Sequence, residues 1–335
     1  MLLTLVLLYV GQLECAVSAP VSFHMTDEWQ PIRYWVELRL VDVMRASDSA
    51  NAAEEGFLRY GGHVRVQLRH ARRTHEGTIV LWSKNLKLGR DAYLDETGAS
   101  RSNHSAVAVR SSPDGNFTAV DFSRLKWKWG ATYFLDVDFE GSIATSEGER
   151  VLYRYRYVQD GQTRYGLVTD RADEPLFPCL LPERPSVFAL RVQRPIHTPA
   201  FTNTRFQSQI FQVEQNSIIE DYEPTVAMKP MRVALAVVDN GRNRHSELMS
   251  RGVDMWVRQK PLVAKAMVYG NRCFEHMNVS QLAVHDRMRV VIVPLTDYRR
   301  WYPGLGIVDE QTMDKAIEGE NVNPIDFSRF KEKLD

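Results

Sequence analysis

From Trp35 to about residue 240 the chain is written in short runs in which apolar and polar side chains alternate, and this alternation restricts the fold more than any other feature. Successive side chains of a β-strand point to opposite faces, so a period of two belongs to strands with one face on a core and the other in water. Tyr34-Trp-Val-Glu-Leu-Arg-Leu-Val, His63-Val-Arg-Val-Gln-Leu, Thr78-Ile-Val-Leu-Trp and Tyr133-Phe-Leu-Asp-Val-Asp-Phe are such runs. Gly61-Gly62, Asp114-Gly115 and Asp160-Gly161 read as the turns between them. Many strands with few helical stretches predict a mainly β domain over residues 25–240, an antiparallel sandwich or saddle-shaped sheet.

The pattern changes near Asn240-Gly-Arg-Asn. Pro261 to Met277 has helical spacing, with Leu262, Ala266, Val268, Cys273 and Phe274 on or near one face. Val290-Val-Ile-Val-Pro is a continuous apolar run of the kind found in a strand buried on both sides. Residues 241–335 therefore read as the opening of a second, incomplete α/β lobe, with Met313-Asp-Lys-Ala-Ile and a charged tail as its remainder. The apolar run to Leu295 and the helix face are expected to be partly uncovered and to pair with another chain. Folding of residues 296–335 back over them is the alternative.

Lysine and arginine total 42 and aspartate and glutamate also total 42, which argues against a dedicated nucleic-acid binder. Leu2 to Val10 is almost wholly apolar and is followed by Ala16, Val17, Ser18 and Ala19, the order of a secretory signal over residues 1–18. The run falls short of the roughly 20 residues of a spanning helix, so the expectation is a secreted protein without a membrane span. Sequons at Asn103, Asn116 and Asn278 agree with export as a glycoprotein. Cys15 leaves with the signal, and Cys179 and Cys273 remain, either as buried thiols or as one disulfide. No two of the nine histidines stand four apart, and H-E-x-x-H is absent from the sequence. Lys126-Trp-Lys-Trp reads as a strand with lysines outward and tryptophans inward, and Arg65, Arg69, Arg72 and Arg73 as solvated surface. No G-x-S-x-G or other nucleophile context is present.

Several segments stand in a meaningful order. They run from Pro31-x-x-Tyr34-x-Val-x-Leu through Gly61-Gly-His-Val-Arg-Val and Thr78-Ile-Val-Leu-Trp-x-x-x-Leu86 to Tyr133-x-Leu-x-Val-x-Phe139-x-Gly141. Leu152-Tyr-Arg-Tyr-Arg-Tyr, Phe177-Pro178-Cys179, Glu183-x-Pro185 and Gly252-Val-Asp-Met-Trp256-Val-Arg258 follow. In this order they resemble the N-terminal β domain and the start of the thermolysin-like domain of the aminopeptidase N type of zinc metallopeptidase. Phe177-Pro178-Cys179 corresponds to the family's F-P-C. Leu305-Gly306 corresponds to the W-G after its exopeptidase motif, which places Pro303 and Gly304 where the family has E-N. The family's glutamate holds the substrate's α-amino group, a contact proline cannot make. Thr169 falls near a substrate-contacting acidic or amide residue of the family. The family's zinc ligands lie beyond Asp335, so zinc is expected only in full-length active relatives, and this chain is expected to carry no cofactor.

The resemblance implies a secreted, catalytically inactive aminopeptidase N-like protein. Its role would be to bind a peptide or protein ligand or to pair with an active relative. A fragment of an active zinc metalloaminopeptidase and a structural extracellular glycoprotein are the two other readings. Expression through a eukaryotic secretory pathway should yield protein in the medium whose gel mobility rises on enzymatic deglycosylation. Wholly intracellular, unmodified protein would contradict the expectation.

Overall fold

The structure is a computed structural model, and it describes residues 23, 25, 27–46, 58–71, 77–96, 103–171, 173–239, 246–250, 253–257, 262–276 and 288–318. The expected signal segment and Asn278 lie outside the described residues. The protein is mainly β. Its largest sheet has twelve strands. At its centre lie β1 (Trp29–Arg39), β2 (Leu58–His70) and β8 (Thr132–Ala144). Beyond β1 follow β11 (Val187–Pro195), β14 (Ser217–Tyr222) and, at the edge, β13 (Phe206–Gln212). On its other side β8 pairs with β4 (Leu86–Glu96), which carries β5 (Asn103–Ser105), and near its end with β9 (Leu152–Gln159). The sheet continues through β10 (Gln162–Thr169) and β15 (Leu235–Val238) to β12 (Ala200–Thr202).

Most of these pairings are antiparallel, as expected, but β1 runs parallel to β11 and β8 parallel to β9, so the sheet is mixed. The alternation of the sequence is the alternation of the faces. Tyr34, Val36 and Leu38 of β1, Val64, Val66 and Leu68 of β2, and Tyr133, Leu135 and Val137 of β8 are buried on one side. A second layer covers them: β3 (Thr78–Trp82), β6 (Ala108–Ser111) and β7 (Phe117–Asp121) form a three-stranded sheet that brings Ile79, Leu81 and Val120 into the same core. Val43 and Met44 of the short helix α1 (Val41–Arg45) complete it.

Two expectations are corrected here. Gly61-Gly62 is no turn but lies inside β2. A Cβ on Gly62 would stand 2.3 Å from Cζ of Phe139 and 2.7 Å from the Glu37 carbonyl oxygen, so the glycine is there to let a neighbouring ring close over the strand. Lys126-Trp-Lys-Trp is no strand either: the Lys128 N–H donates to the Tyr133 hydroxyl at 2.9 Å rather than to a neighbouring strand. Trp127 packs edge-on to Trp29, whereas Trp129 is 61% exposed and donates its indole N–H to the Ala71 carbonyl.

The remaining strands form a five-stranded sheet in the order β16 (Ser246–Ser250), β17 (Val253–Val257), β18 (Met288–Val293), β20 (Leu305–Asp309) and β19 (Arg299–Tyr302). The three inner strands are parallel, with helix α2 (Leu262–His276) falling between β17 and β18 in the chain. Asp309 caps α3 (Glu310–Glu318), its carboxylate accepting from the Thr312 N–H at 2.9 Å. Met255, Val290, Ile292 and Val308 pack on Ala266, Tyr269 and Met313 of the helices. Trp256, Val291, Val293 and Ile307 pack on Tyr155, Val168, Phe201 and Ala236 of the large sheet.

The expected uncovered face is therefore not found: Val290 to Val293 are fully buried, because this small sheet is sealed by helices on one side and by the large sheet on the other. Val268 is likewise 43% exposed rather than on the buried face. At 100° per residue the positions that follow Ala266 inward are Tyr269 and Gly270, and Val268 falls outside that stripe. No helix among the described residues is long and apolar enough to cross a membrane.

The two adjacent glycines of β2 give a direct test. Gly62→Ala should lower stability in urea by about 1–3 kcal/mol through overpacking against the Phe139 ring and the strand β1 backbone. Gly61→Ala, whose Cβ meets only the Arg39 side chain at 3.6 Å, should change it by less than about 0.5 kcal/mol. Equal effects would contradict the packing described.

Candidate functional site

Thr169 ends β10 and is buried. Its hydroxyl donates to the Leu235 carbonyl at 3.2 Å and accepts from the Leu235 N–H at 2.8 Å. Its carbonyl accepts from the hydroxyls of Tyr298 at 2.9 Å and Tyr302 at 3.0 Å. Thr169 thus holds the small sheet to the large one. Pro303 and Gly304 turn the β19–β20 hairpin, and Leu305 and Gly306 open β20. The structure brings this hairpin to Thr169 through Tyr302, and Asn203 Nδ2 donates to the Pro303 carbonyl at 2.7 Å. Gly306 is covered by the Trp301 ring, which a Cβ would meet at 2.3 Å. The crevice left beside Gly304 has a volume of about 10 Å³, too little for a substrate.

Phe177 and Cys179 are fully buried, and Tyr34, Phe177 and Phe188 form an aromatic cluster with ring centres 5.0–5.9 Å apart. The Cys179 backbone pairs with Trp82 of β3 in both directions, and the Tyr34 hydroxyl accepts from the Leu180 N–H at 3.1 Å. These contacts tie the loop containing Phe177-Pro178-Cys179 to both sheets. Cys179 is a free thiol, and burial pushes its pKa far above the ordinary range, so it is unreactive packing. Asn103 begins β5, and Asn116 stands at the turn before β7, partly exposed, with its amide donating to Asp114 at 2.7 Å. Among the described residues no three His, Cys, Asp or Glu side chains gather where a metal ion could be held.

The open site lies elsewhere, on the outward face of the large sheet. Here β1, β2, β8, β11 and β14 form the floor of a groove of about 780 Å³, with Gln207 and Ser208 of β13 at its side. That volume falls within the range of pockets that hold small ligands. Strand register sets its side chains in rows. One row reads Asp221, Arg191, Glu37, His63, Asp138 across five strands, so the charges alternate in sign when His63 is protonated. The next row reads Ala189, Trp35, Arg65, Asp136.

Arg191 grips Asp221 with two nitrogens at 2.7 and 3.3 Å. Arg65 bridges to Asp95 at 3.5 Å and Asp136 at 3.8 Å, and its guanidinium lies 4.8 Å from the centre of the Phe134 ring. Trp35 and Phe134 stand 6.0 Å apart, and Arg33 lies 5.6 Å over Trp35. The result is an aromatic step flanked by charges of both signs. Of this set the sequence reading singled out only Arg65, and as solvated surface. The only signal for the others was their common parity along alternating strands.

No protein-family model and no curated protein sequence matches the chain.

His63 bridges two carboxylates, with Nε2 3.2 Å from Asp136 and Nδ1 3.3 Å from Asp138. The hydrogen bond to Asp136 is the main reason its pKa is raised. A pKa raised in the folded state means that the bridge stabilises the fold fully below the unfolded value of about 6.5 and is lost as pH rises through the folded value. The imidazole should therefore titrate above about 6.5 in an NMR pH series, and Asp136→Asn should bring its midpoint down. A midpoint at or below the ordinary value, unmoved by Asp136→Asn, would contradict the bridge.

Proposed function

We propose that this chain is a secreted, catalytically inactive member of the aminopeptidase N type that works as a peptide- or protein-binding module. The carrying observation is where the molecule leaves room. At the hairpin matched to the exopeptidase motif, Pro303 stands in place of the amine-holding glutamate and its carbonyl is engaged by Asn203. There the buried Tyr298 and Tyr302 hydroxyls both donate to the Thr169 carbonyl. The crevice beside Gly304, about 10 Å³, leaves a free amino terminus no space. The outward face of the large sheet offers about 780 Å³ over an aromatic and charged floor instead.

The apolar leader and the sequons support export, and Asn116 at a partly exposed turn gives a glycan a place to sit. Burial of both faces of the small sheet removes the apolar reason for pairing with an active relative, so the reading favours a ligand taken by the groove.

Two measurements test the reading. Purified protein should hold no stoichiometric zinc and should release no amino acid from aminoacyl reporter substrates; chelator-sensitive turnover that copurifies with the chain would overturn it. Panning a random peptide library on the full chain should return binders that are lost on the Trp35→Ala/Phe134→Ala double variant. A library that returns nothing, or binders indifferent to both substitutions, would count against the groove.

A further inference from the structure

Two charged groups in the groove make no hydrogen bond or salt bridge among the described residues, although Glu37 lies in the field of Arg191. Arg33 rests over the Trp35 ring and makes no ion pair or hydrogen bond among the described residues. Glu37 makes no hydrogen bond among them either, since its register neighbour Arg191 directs its guanidinium to Asp221. Both belong to β1 and share its outward face with Trp35, which stands between them. Positions i, i+2 and i+4 of a strand lie on one line, so the two charges are set about 13 Å apart at roughly 3.3 Å per residue.

We propose that the groove takes an extended peptide whose residues at i, i+2 and i+4 are an acid, an aromatic or large apolar side chain, and a base. The acid meets Arg33, the apolar side chain lies on Trp35 and Phe134, and the base meets Glu37. The proposal rests on the reading above that the groove is a binding site, and it adds the chemistry of the ligand. An extended peptide has the same repeat as the strand beneath it, so three of its side chains fall in step with Arg33, Trp35 and Glu37. A neutral glycan would leave both charges unanswered. A polyanion would set like charge against Glu37, Asp136 and Asp221, which line the same groove. A peptide of mixed sign answers both ends and buries its ring on the aromatic step.

The test uses the full chain and three fluorescein-labelled peptides in a polarisation titration. Gly-Ser-Asp-Ser-Phe-Ser-Lys-Ser-Gly and its reverse order, Gly-Ser-Lys-Ser-Phe-Ser-Asp-Ser-Gly, carry the pattern in the two chain directions. Gly-Ser-Ser-Asp-Lys-Phe-Ser-Ser-Gly has the same composition with the two charges adjacent, and so on opposite faces. One of the patterned peptides should bind saturably and about tenfold more tightly than the third. Arg33→Glu should weaken it by about tenfold, and replacing the peptide's aspartate by lysine should restore binding to that variant but not to the parent chain. Glu37→Gln should weaken the parent interaction independently.

Equal binding of patterned and unpatterned peptides, or indifference to Arg33→Glu, overturns the proposal. If library peptides of another pattern still bind in a Trp35- and Phe134-dependent way, only this ligand assignment fails. If no peptide of any kind binds, the binding reading fails with it.

Discussion

Strand register is the constraint on which the rest of this molecule depends. Val36, Val64 and Val137 lie in one row toward the core, and Glu37, His63 and Asp138 lie in the adjacent row toward water. Because side chains alternate faces with a period of two, a slip of one residue between β1, β2 and β8 would bury charged side chains and expose the valines. Gly62 helps to pin that register by accepting the Phe139 ring against a strand that carries no Cβ at that point. The same register that closes the core lines up the outward charges, so the groove is a direct consequence of correct pairing rather than a separate feature. Its ion pairs are partly exposed, with Arg191 and Asp221 side chains 46% and 26% accessible, so they contribute little to stability.

The second dependency is the junction between the two sheets. Thr169 satisfies its own hydroxyl on Leu235 and offers its carbonyl to Tyr298, just before β19, and Tyr302 at the end of β19. Arg300 adds a pair with the buried Asp170 at 2.8 Å and an outer contact to Glu147 at 2.9 Å. Buried hydroxyls and charges of this kind are costly unless every one is matched, so the contacts fix a single docked arrangement around the apolar layer of Trp256, Phe201, Val291 and Val293. Filling the region around the β19–β20 hairpin in this way is incompatible with admitting a substrate there. The inner junction is solid, and the open sheet face is hollowed.

Much of the fold is visible in the residue pattern because alternation and burial are the same physical fact. The runs beginning at Tyr34, His63, Thr78, Tyr133 and Leu152 all lie in strands, and the helical spacing after Pro261 and the apolar run at Val290 lie in α2 and β18. Local pattern failed where distant neighbours decide. Gly61-Gly62 has the composition of a turn, and only Phe139 and Glu37 across two strand pairings explain it as strand. Trp129 has the parity of a strand but lies in a segment where the Lys128 N–H donates to the Tyr133 hydroxyl. The parallel alignment of β1 with β11 joins residues about 150 positions apart, and nothing local encodes it. The buried pair of Arg194 with Glu220 is likewise hidden, since each looks like an ordinary surface charge until the Tyr222 hydroxyl, 2.8 Å away, places them inside. The groove is invisible for the same reason: it is assembled from positions between Arg33 and Asp221 that meet only after the sheet has formed.

Hydroxyl-radical footprinting of the native protein, read by mass spectrometry, tests the account most directly because aromatic residues on both sides of its central contrast can be followed in one experiment. Trp35 and Phe134 should be oxidised readily, while Trp256, Tyr298 and Tyr302 should stay protected until the protein unfolds. Ready oxidation of Tyr298 and Tyr302 together with protection of Trp35 and Phe134 would mean that the cleft at the hairpin is open and the sheet face covered, and the account would be wrong.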